Sequence, residues 1–290
     1  MLKPFELFLP NTLDEAFDMM DANPDAKVVA GGSDVFVTMH SGQKYSCLID
    51  IKNIKELQGL ECNASLGMKI GALTKLSVLE HSEDTKKYYP AIVDAASKMA
   101  SIQVRNKGTI GGNICNASPA ADMAGPLYIY DAVVEIVSRT GIRKVAITDF
   151  FTGVKKTCLQ PGELVSQIYL PAPVPGSGSA YKKLMKRGAM EIGIMSAGVK
   201  ITCDCEGNCV LARISLSAVS PTPIRATYAE EYLIGKKINT ETIRHAAELA
   251  YGIACPRTWR NCEEWSKDMV MVFVPDAMEL AVDRMQKGAF

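Results

Sequence analysis

Histidine and tryptophan are scarce in this chain, at 3 and 2 of 290 residues. His40, His81 and His245 stand far apart, which excludes the paired histidines of a zinc-hydrolase helix. Net charge is missing too. Lys and Arg total 32, as do Asp and Glu, and no basic run is interleaved with aromatics, so nothing favours nucleic acid. No apolar run approaches the ~20 residues that span a bilayer. The N-terminal Met-Leu-Lys-Pro-Phe-Glu-Leu-Phe-Leu-Pro lacks the long apolar stretch of a signal peptide, so a cytoplasmic protein is expected. Three common site signatures are also absent: G-x-G-x-x-G, the P-loop G-x-x-x-x-G-K-[ST], and the nucleophile elbow G-x-S-x-G.

Nine cysteines are present, and in a cytoplasmic protein they read as free thiols. The cluster Cys203-Asp-Cys205-Glu-Gly-Asn-Cys209 sits at a hairpin-like bend. A zinc or iron–sulfur site needs about four ligands. Only three thiols are here, so no metal is expected and surface thiols are the reading.

The first sixty residues alternate strand and helix. Phe5–Leu9, Lys27–Ala30 and Ser46–Ile51 read as strands. Leu13–Met20 and Val35–Met39 read as helices, the first capped by Thr12 with Glu15 at the capping-box position. This βαβαβ order implies a small parallel sheet. Further on, Leu66–Ala72 reads as a strand, Thr74–Glu83 as a helix, and Pro90 opens a helix through Met99. Met123–Tyr130 reads as a short helix with Asp122 placed to cap it, followed by strands Ala132–Ser138 and Arg143–Ile147. Pro171–Ser179, dense in Pro, Gly and Ser, is the linker. After it, Ser179–Arg187, Ser196–Cys203 and Val210–Val219 suggest an antiparallel meander of three strands, and the rest is helical. The expected organisation is therefore α+β in two parts: residues 1–175, subdivided near residue 60, and residues 176–290.

Two glycine-rich segments carry the chemistry. In Ala30-Gly-Gly-Ser-Asp34 a buried strand runs into glycines and then a helix start, where N–H groups lack intrahelical partners. Ser33 or Asp34 as a plain helix cap is the competing reading. The second segment, Gln103–Asp122, reads as a long irregular run. It holds Gly108, Gly111 and Gly112 together with Thr109, Asn113, Asn116 and Ser118 as neutral polar groups. Bare backbone plus convergent neutral donors suits a diphosphate.

Taken as a pair, these segments resemble the FAD loops of the medium subunit of molybdenum hydroxylases. The likeness spans nearly the whole chain, including Ala180-Tyr-Lys182 and Val219-Ser-Pro-Thr-Pro-Ile-Arg225. Pro256-Arg-Thr-Trp-Arg260 resembles the bacterial xanthine dehydrogenase FAD-binding subunits in particular. The resemblance implies an FAD-binding domain of the vanillyl-alcohol-oxidase (PCMH) type followed by a smaller α+β domain. It implies electrons arriving from a [2Fe–2S] small subunit, originating at a molybdopterin large subunit, and leaving the flavin for NAD or another acceptor. Val29 through Asp34 would wrap the diphosphate. Thr109, Ile110, Gly111, Gly112 and Asn113 would close over it from the other side. Ser118 and Asp122 would contact the ribityl chain or nearby polar atoms. Leu159 would pack on the isoalloxazine, and Lys182 would sit near the ring and tune it, the flavin itself carrying the chemistry.

Two departures refine the expectation. No segment inserted between Leu66 and Gln103 could house the extra iron–sulfur cluster of the ring-reducing relatives. No histidine in either glycine segment could carry an 8α-histidyl flavin. The alternatives are a stand-alone FAD oxidase or reductase of the same fold, a scaffold without chemistry, or a subunit serving another substrate such as nicotinate, an aldehyde or CO.

Overall fold

The computed structural model describes residues 4–188, 190–256 and 262–288. The motif residues Arg257–Arg260 therefore lie outside the described residues.

The buried apolar run Cys47, Leu48 and Ile49 places Cys47–Asp50 at the centre of a three-stranded parallel sheet, between Glu6–Phe8 and Lys27–Val29. Helices Leu13–Ala22 and Val35–His40 make the crossovers. Thr12 caps the first by accepting from the Glu15 N–H, as its sequence predicts. The Glu15 carboxylate accepts from the Asn11 N–H at 2.7 Å, one residue before the expected capping-box partner.

The middle of the chain builds a five-stranded antiparallel sheet. Its order is Leu60–Asn63, Gly67–Gly71, Leu164–Leu170, Val133–Ser138, Gly141–Ala146. The strand Leu164–Leu170 is inserted between two hairpins and buried along most of its length. It shows no alternation, and the edge strand Leu60–Asn63 alternates over only four residues; both escape the sequence reading. Helix Pro90–Ser97 packs its alanines and Ile92 into the core beneath this sheet.

The segment Gln103–Asp122 is not irregular. It contains helices Ile102–Arg105 and Ile110–Cys115, capped by the Ser101 and Thr109 hydroxyls. Glycine and β-branched residues hide these turns from a propensity reading, but a hydroxyl at each N-cap fixes them. The helix after it runs Ala124–Ile129 and has no side-chain cap. Asp122 does not cap it, because its carboxylate is taken by Tyr181 and Lys183.

The last third holds a four-stranded antiparallel sheet, Ser177–Leu184, Met195–Cys203, Cys209–Ser217 and Ile224–Arg225. The expected three-stranded meander thus gains a fourth strand of two residues. Pro221 and Pro223 on the approach mask it in the sequence. Helix Val270–Gln286 covers the sheet with helix Thr240–Ile253 packed against it, and together they bury Ala246, Ala250, Val274 and Ala281. Asp94, on helix Pro90–Ser97, fastens this layer to the middle of the chain. It accepts from both Arg284 guanidinium nitrogens at 2.7 and 2.9 Å and from the Tyr181 N–H at 3.0 Å.

Candidate functional site

The chain enters the first glycine segment from the parallel strand Lys27–Val29. Helix Val35–His40 then starts at Asp34 with no side-chain cap hydrogen bond, so neither Ser33 nor Asp34 serves as the plain cap. Among the described residues, the N–H groups of Gly31, Gly32, Ser33 and Asp34 find no protein acceptor. Four adjacent N–H groups without protein partners are a donor set suited to an anion.

The second segment lies against the first. A Cβ at Gly31 would fall 2.0 Å from the Lys107 carbonyl oxygen. Only glycine lets the two backbones meet there. One at Gly108 would lie 3.6 Å from Ser33 Oγ, and one at Gly112 3.8 Å from the Ala30 Cβ. Gly111 is held from behind, its N–H donating to the Ala72 carbonyl at 2.9 Å.

The two sides contribute differently. In the second segment the N–H groups of Ile110, Gly111, Gly112 and Asn113 are all committed to protein acceptors. What it offers is the Thr109 hydroxyl hydrogen, since that oxygen already accepts from the Gly112 N–H at 3.0 Å. Asn113 is also engaged. Its amide nitrogen contacts Met99 Sδ at 3.8 Å and its oxygen accepts from the Met123 N–H at 3.3 Å.

A cleft of about 1100 Å³ opens where the segments meet, lined by Val29 to Ser33 and by Thr109. Lys75, Gln103 and Lys107 join them, and Phe36, Leu7 and Val78 provide apolar wall. The opening is large enough for a dinucleotide-sized ligand, given that small-molecule sites run to about 1,000 Å³. Free N–H donors, a hydroxyl and nearby ammonium groups fit a diphosphate.

Asp34, Ile110, Gly111, Gly112, Asn113, Ser118, Asp122, Leu159 and Lys182 are not on the wall of this cleft. Ser118 accepts from the Ala120 N–H at 3.3 Å. Leu159 packs partly buried against the middle core. Asp122 is buried, accepting from the Tyr181 hydroxyl at 3.0 Å and from Lys183 Nζ at 2.8 Å. Burial pushes its carboxyl pKa up, opposed by the Lys183 charge and by the two hydrogen bonds. Lys182 is half-buried on the same strand, and Lys183 projects from the opposite face. Sequence reading missed Tyr181 and Lys183 as Asp122's partners. Their two-residue spacing on a strand was the available signal.

Residues 3–173 match the family model described as FAD binding domain in molybdopterin dehydrogenase, and residues 179–281 match the CO dehydrogenase flavoprotein C-terminal domain. The chain belongs to the FAD-binding subunits of the molybdopterin dehydrogenases. It is 35% identical over 274 residues to a xanthine dehydrogenase FAD-binding subunit of Escherichia coli, covering 93% of this chain and 94% of that one. It is 32% identical to the nicotinate dehydrogenase FAD-subunit of Eubacterium barkeri, over 83% of each chain. A solved carbon monoxide dehydrogenase from Hydrogenophaga pseudoflava, in a form lacking the Mo-pyranopterin moiety, superposes with a TM-score of 0.93 at 31% identity, covering 98% of this chain and 99% of that one. As an FAD subunit of this family, the chain is part of an oxidoreductase. No helix of the described residues is long and apolar enough to cross a membrane. Among them, no three His, Cys, Asp or Glu side chains are grouped to hold a metal ion, the Cys203–Cys209 bend included.

Proposed function

We propose that this chain is the FAD subunit of a xanthine-dehydrogenase-like molybdenum hydroxylase, working with a molybdopterin large subunit and a [2Fe–2S] small subunit and delivering electrons to NAD in the cytoplasm. FAD, when bound, supplies the link between one-electron iron–sulfur carriers and a two-electron acceptor. Among the chain's own residues, Gly31 to Asp34 hold the diphosphate through their free N–H groups, with Val29 and Ala30 leading into the turn. Thr109 donates from the facing side, and Ile110, Gly111, Gly112 and Asn113 form the rigid backing that keeps it there. Ser118, Asp122, Leu159 and Lys182 are assigned to the flavin end. The flavin-binding part is assigned to residues 1–175 and the remainder to residues 176–290.

The observation that carries the cofactor assignment is the row of four N–H groups without protein partners, with Gly31 to Ser33 lining the same cleft as Thr109. The xanthine assignment rests on the 35% identity to the xanthine dehydrogenase subunit over 93% of the chain, against 32% over 83% for the nicotinate enzyme. The test is the intact complex assayed on hypoxanthine, xanthine and nicotinate with NAD as acceptor. Turnover of xanthine or hypoxanthine, with flavin absorbance that bleaches on adding NADH, is expected. Turnover of nicotinate alone would move the chain to the other branch, and a flavin that NADH leaves oxidised would remove NAD.

A further inference from the structure

Lys155 lies outside both glycine segments and touches each of them. Lys155 sits at the turn of the short hairpin formed by Phe151–Gly153 and Lys156–Thr157. Its backbone N–H donates to the Ala117 carbonyl at 2.9 Å. Its Nζ donates to Asn116 Oδ1 at 2.7 Å, at the end of helix Ile110–Cys115. The same Nζ lies 3.8 Å from Asp34 Oδ2, in the first segment. Among the described residues, Lys155 is the cation paired with Asp34.

Two further facts suggest that this placement is not incidental. Lys155 has φ +57°, a left-handed backbone that costs a non-glycine residue about 1–2 kcal/mol. A glycine would relieve that cost but would bring no ammonium. The hairpin also leads directly to Leu159, whose N–H is fastened back to Thr157 Oγ1 at 3.4 Å.

The electrostatics give the contact a purpose. A diphosphate on the N–H groups of Gly31 to Asp34 would share its neighbourhood with the Asp34 carboxylate. Like charges repel even where, as here, the carboxylate stands just off the cleft wall. The Lys155–Asp34 pair is about half exposed on both sides, so by itself it contributes little to stability. Its value rises when a second anion arrives beside it.

We propose that Lys155 is a cofactor latch: it offsets the Asp34 charge beside the diphosphate and pins the Phe151–Thr157 hairpin across both glycine segments. The inference rests on the FAD assignment above. It makes Lys155 a positioning residue, acting through Asp34, Asn116 and Ala117.

The test uses the full chain stripped of flavin and titrated with FAD, following quenching of flavin fluorescence, in low and high salt. K155M should bind FAD about tenfold more weakly, one decade in Kd. K155Q, which keeps a donor for Asn116 but no charge, should behave like K155M, and K155R should bind close to the native chain. Adding D34N to K155M should restore most of the lost affinity, because the charge to be offset is gone. The gap between native and K155M should narrow in high salt, as screening shortens the reach of the charges. Flavin-free K155M and K155R should melt with the native chain. K155M binding as tightly as the native chain, or K155R as weakly as K155M, overturns the latch. A native chain that takes up no FAD overturns instead the assignment on which the latch rests.

Discussion

Lys183 Nζ lies 2.8 Å from Asp122 Oδ2, with the two side chains only 1% and 10% exposed. Tyr181 completes the site from the same strand. The pair joins the start of helix Ala124–Ile129 to the last sheet, where the sequence alone suggested a simple helix cap. Removing the lysine leaves an uncompensated buried carboxylate, a change that costs about 3–5 kcal/mol. Lys183→Met is therefore expected to destabilise the chain by about that amount in a urea melt, and Asp122→Asn in the same chain to recover part of it.

The pH dependence of that variant has a definite sign. Burial holds the Asp122 pKa above its ordinary value, and Lys183 pulls it back down. A carboxyl raised in the folded state favours folding while protonated. That favour is complete below the unfolded pKa and is lost as pH rises through the folded one. Without Lys183 the folded pKa climbs further. The stability gap between Lys183→Met and the native chain should thus shrink between neutral pH and about pH 4, where carboxyls ordinarily protonate. A gap that stays constant or widens on acidification would show that Asp122 is not the group responsible.

Gly31 tests the meeting of the two glycine segments. Its added Cβ would sit 2.0 Å from the Lys107 carbonyl, so Gly31→Ala must push the segments apart. The expected cost is about 1–3 kcal/mol of stability from overpacking, with a much larger loss of FAD content because the donor row is displaced. Gly252→Ala is the control. Nothing lies within 4 Å of a Cβ there, and the site is in helix Thr240–Ile253. It should keep full flavin and match or exceed native stability by up to about 1 kcal/mol. Flavin absorbance per chain and the melting temperature measure both. Gly31→Ala with native flavin content would remove this segment from the site.

Much of this architecture is legible in the residues themselves. The parallel unit announces itself through strand–helix alternation, and the glycine pair through its spacing and polar neighbours. Three features are not legible, each for a physical reason. Strand Leu164–Leu170 is buried on both faces along most of its length, so it carries no alternation. Helix Ile110–Cys115 contains two glycines and is stabilised by the Thr109 cap and by bonds to Ala72 and Thr74 rather than by propensity. The Lys155–Asp34 and Asp122–Lys183 contacts join residues far apart in the chain; strand spacing puts Tyr181 and Lys183 on one face, but nothing local names Asp122 as their partner.

Asp94 makes the junction between the middle sheet and the last one a measurable quantity. Its carboxylate accepts a two-pronged bond from Arg284 and a third from the Tyr181 N–H. A hydrogen bond to a charged group is worth about 1.5–3 kcal/mol. Asp94→Ala should cost at least one such bond, and it should split a single unfolding transition into two, with residues beyond the linker melting first. Calorimetry would show the split. A single transition, shifted or not, would mean that the apolar contacts across the junction suffice.

The thiols give a last check on the bend that looked metal-like. Cys209 is fully buried, and burial, with the neighbouring Cys203, pushes its pKa up to about 11. Cys205 and Cys255 are exposed. Only the thiolate attacks a disulfide reagent. In the native chain Cys205 and Cys255 should react promptly with an aromatic disulfide at pH 8, while Cys209 should react only as the chain unfolds. A thiolate ligand set would behave differently: Cys203, Cys205 and Cys209 would be protected together, and all three would be released by a chelator. Mass mapping of the labelled cysteines distinguishes these outcomes. Independent, burial-ordered reactivity is expected, because Cys209 is buried at the start of its strand while Cys205 lies out on the bend.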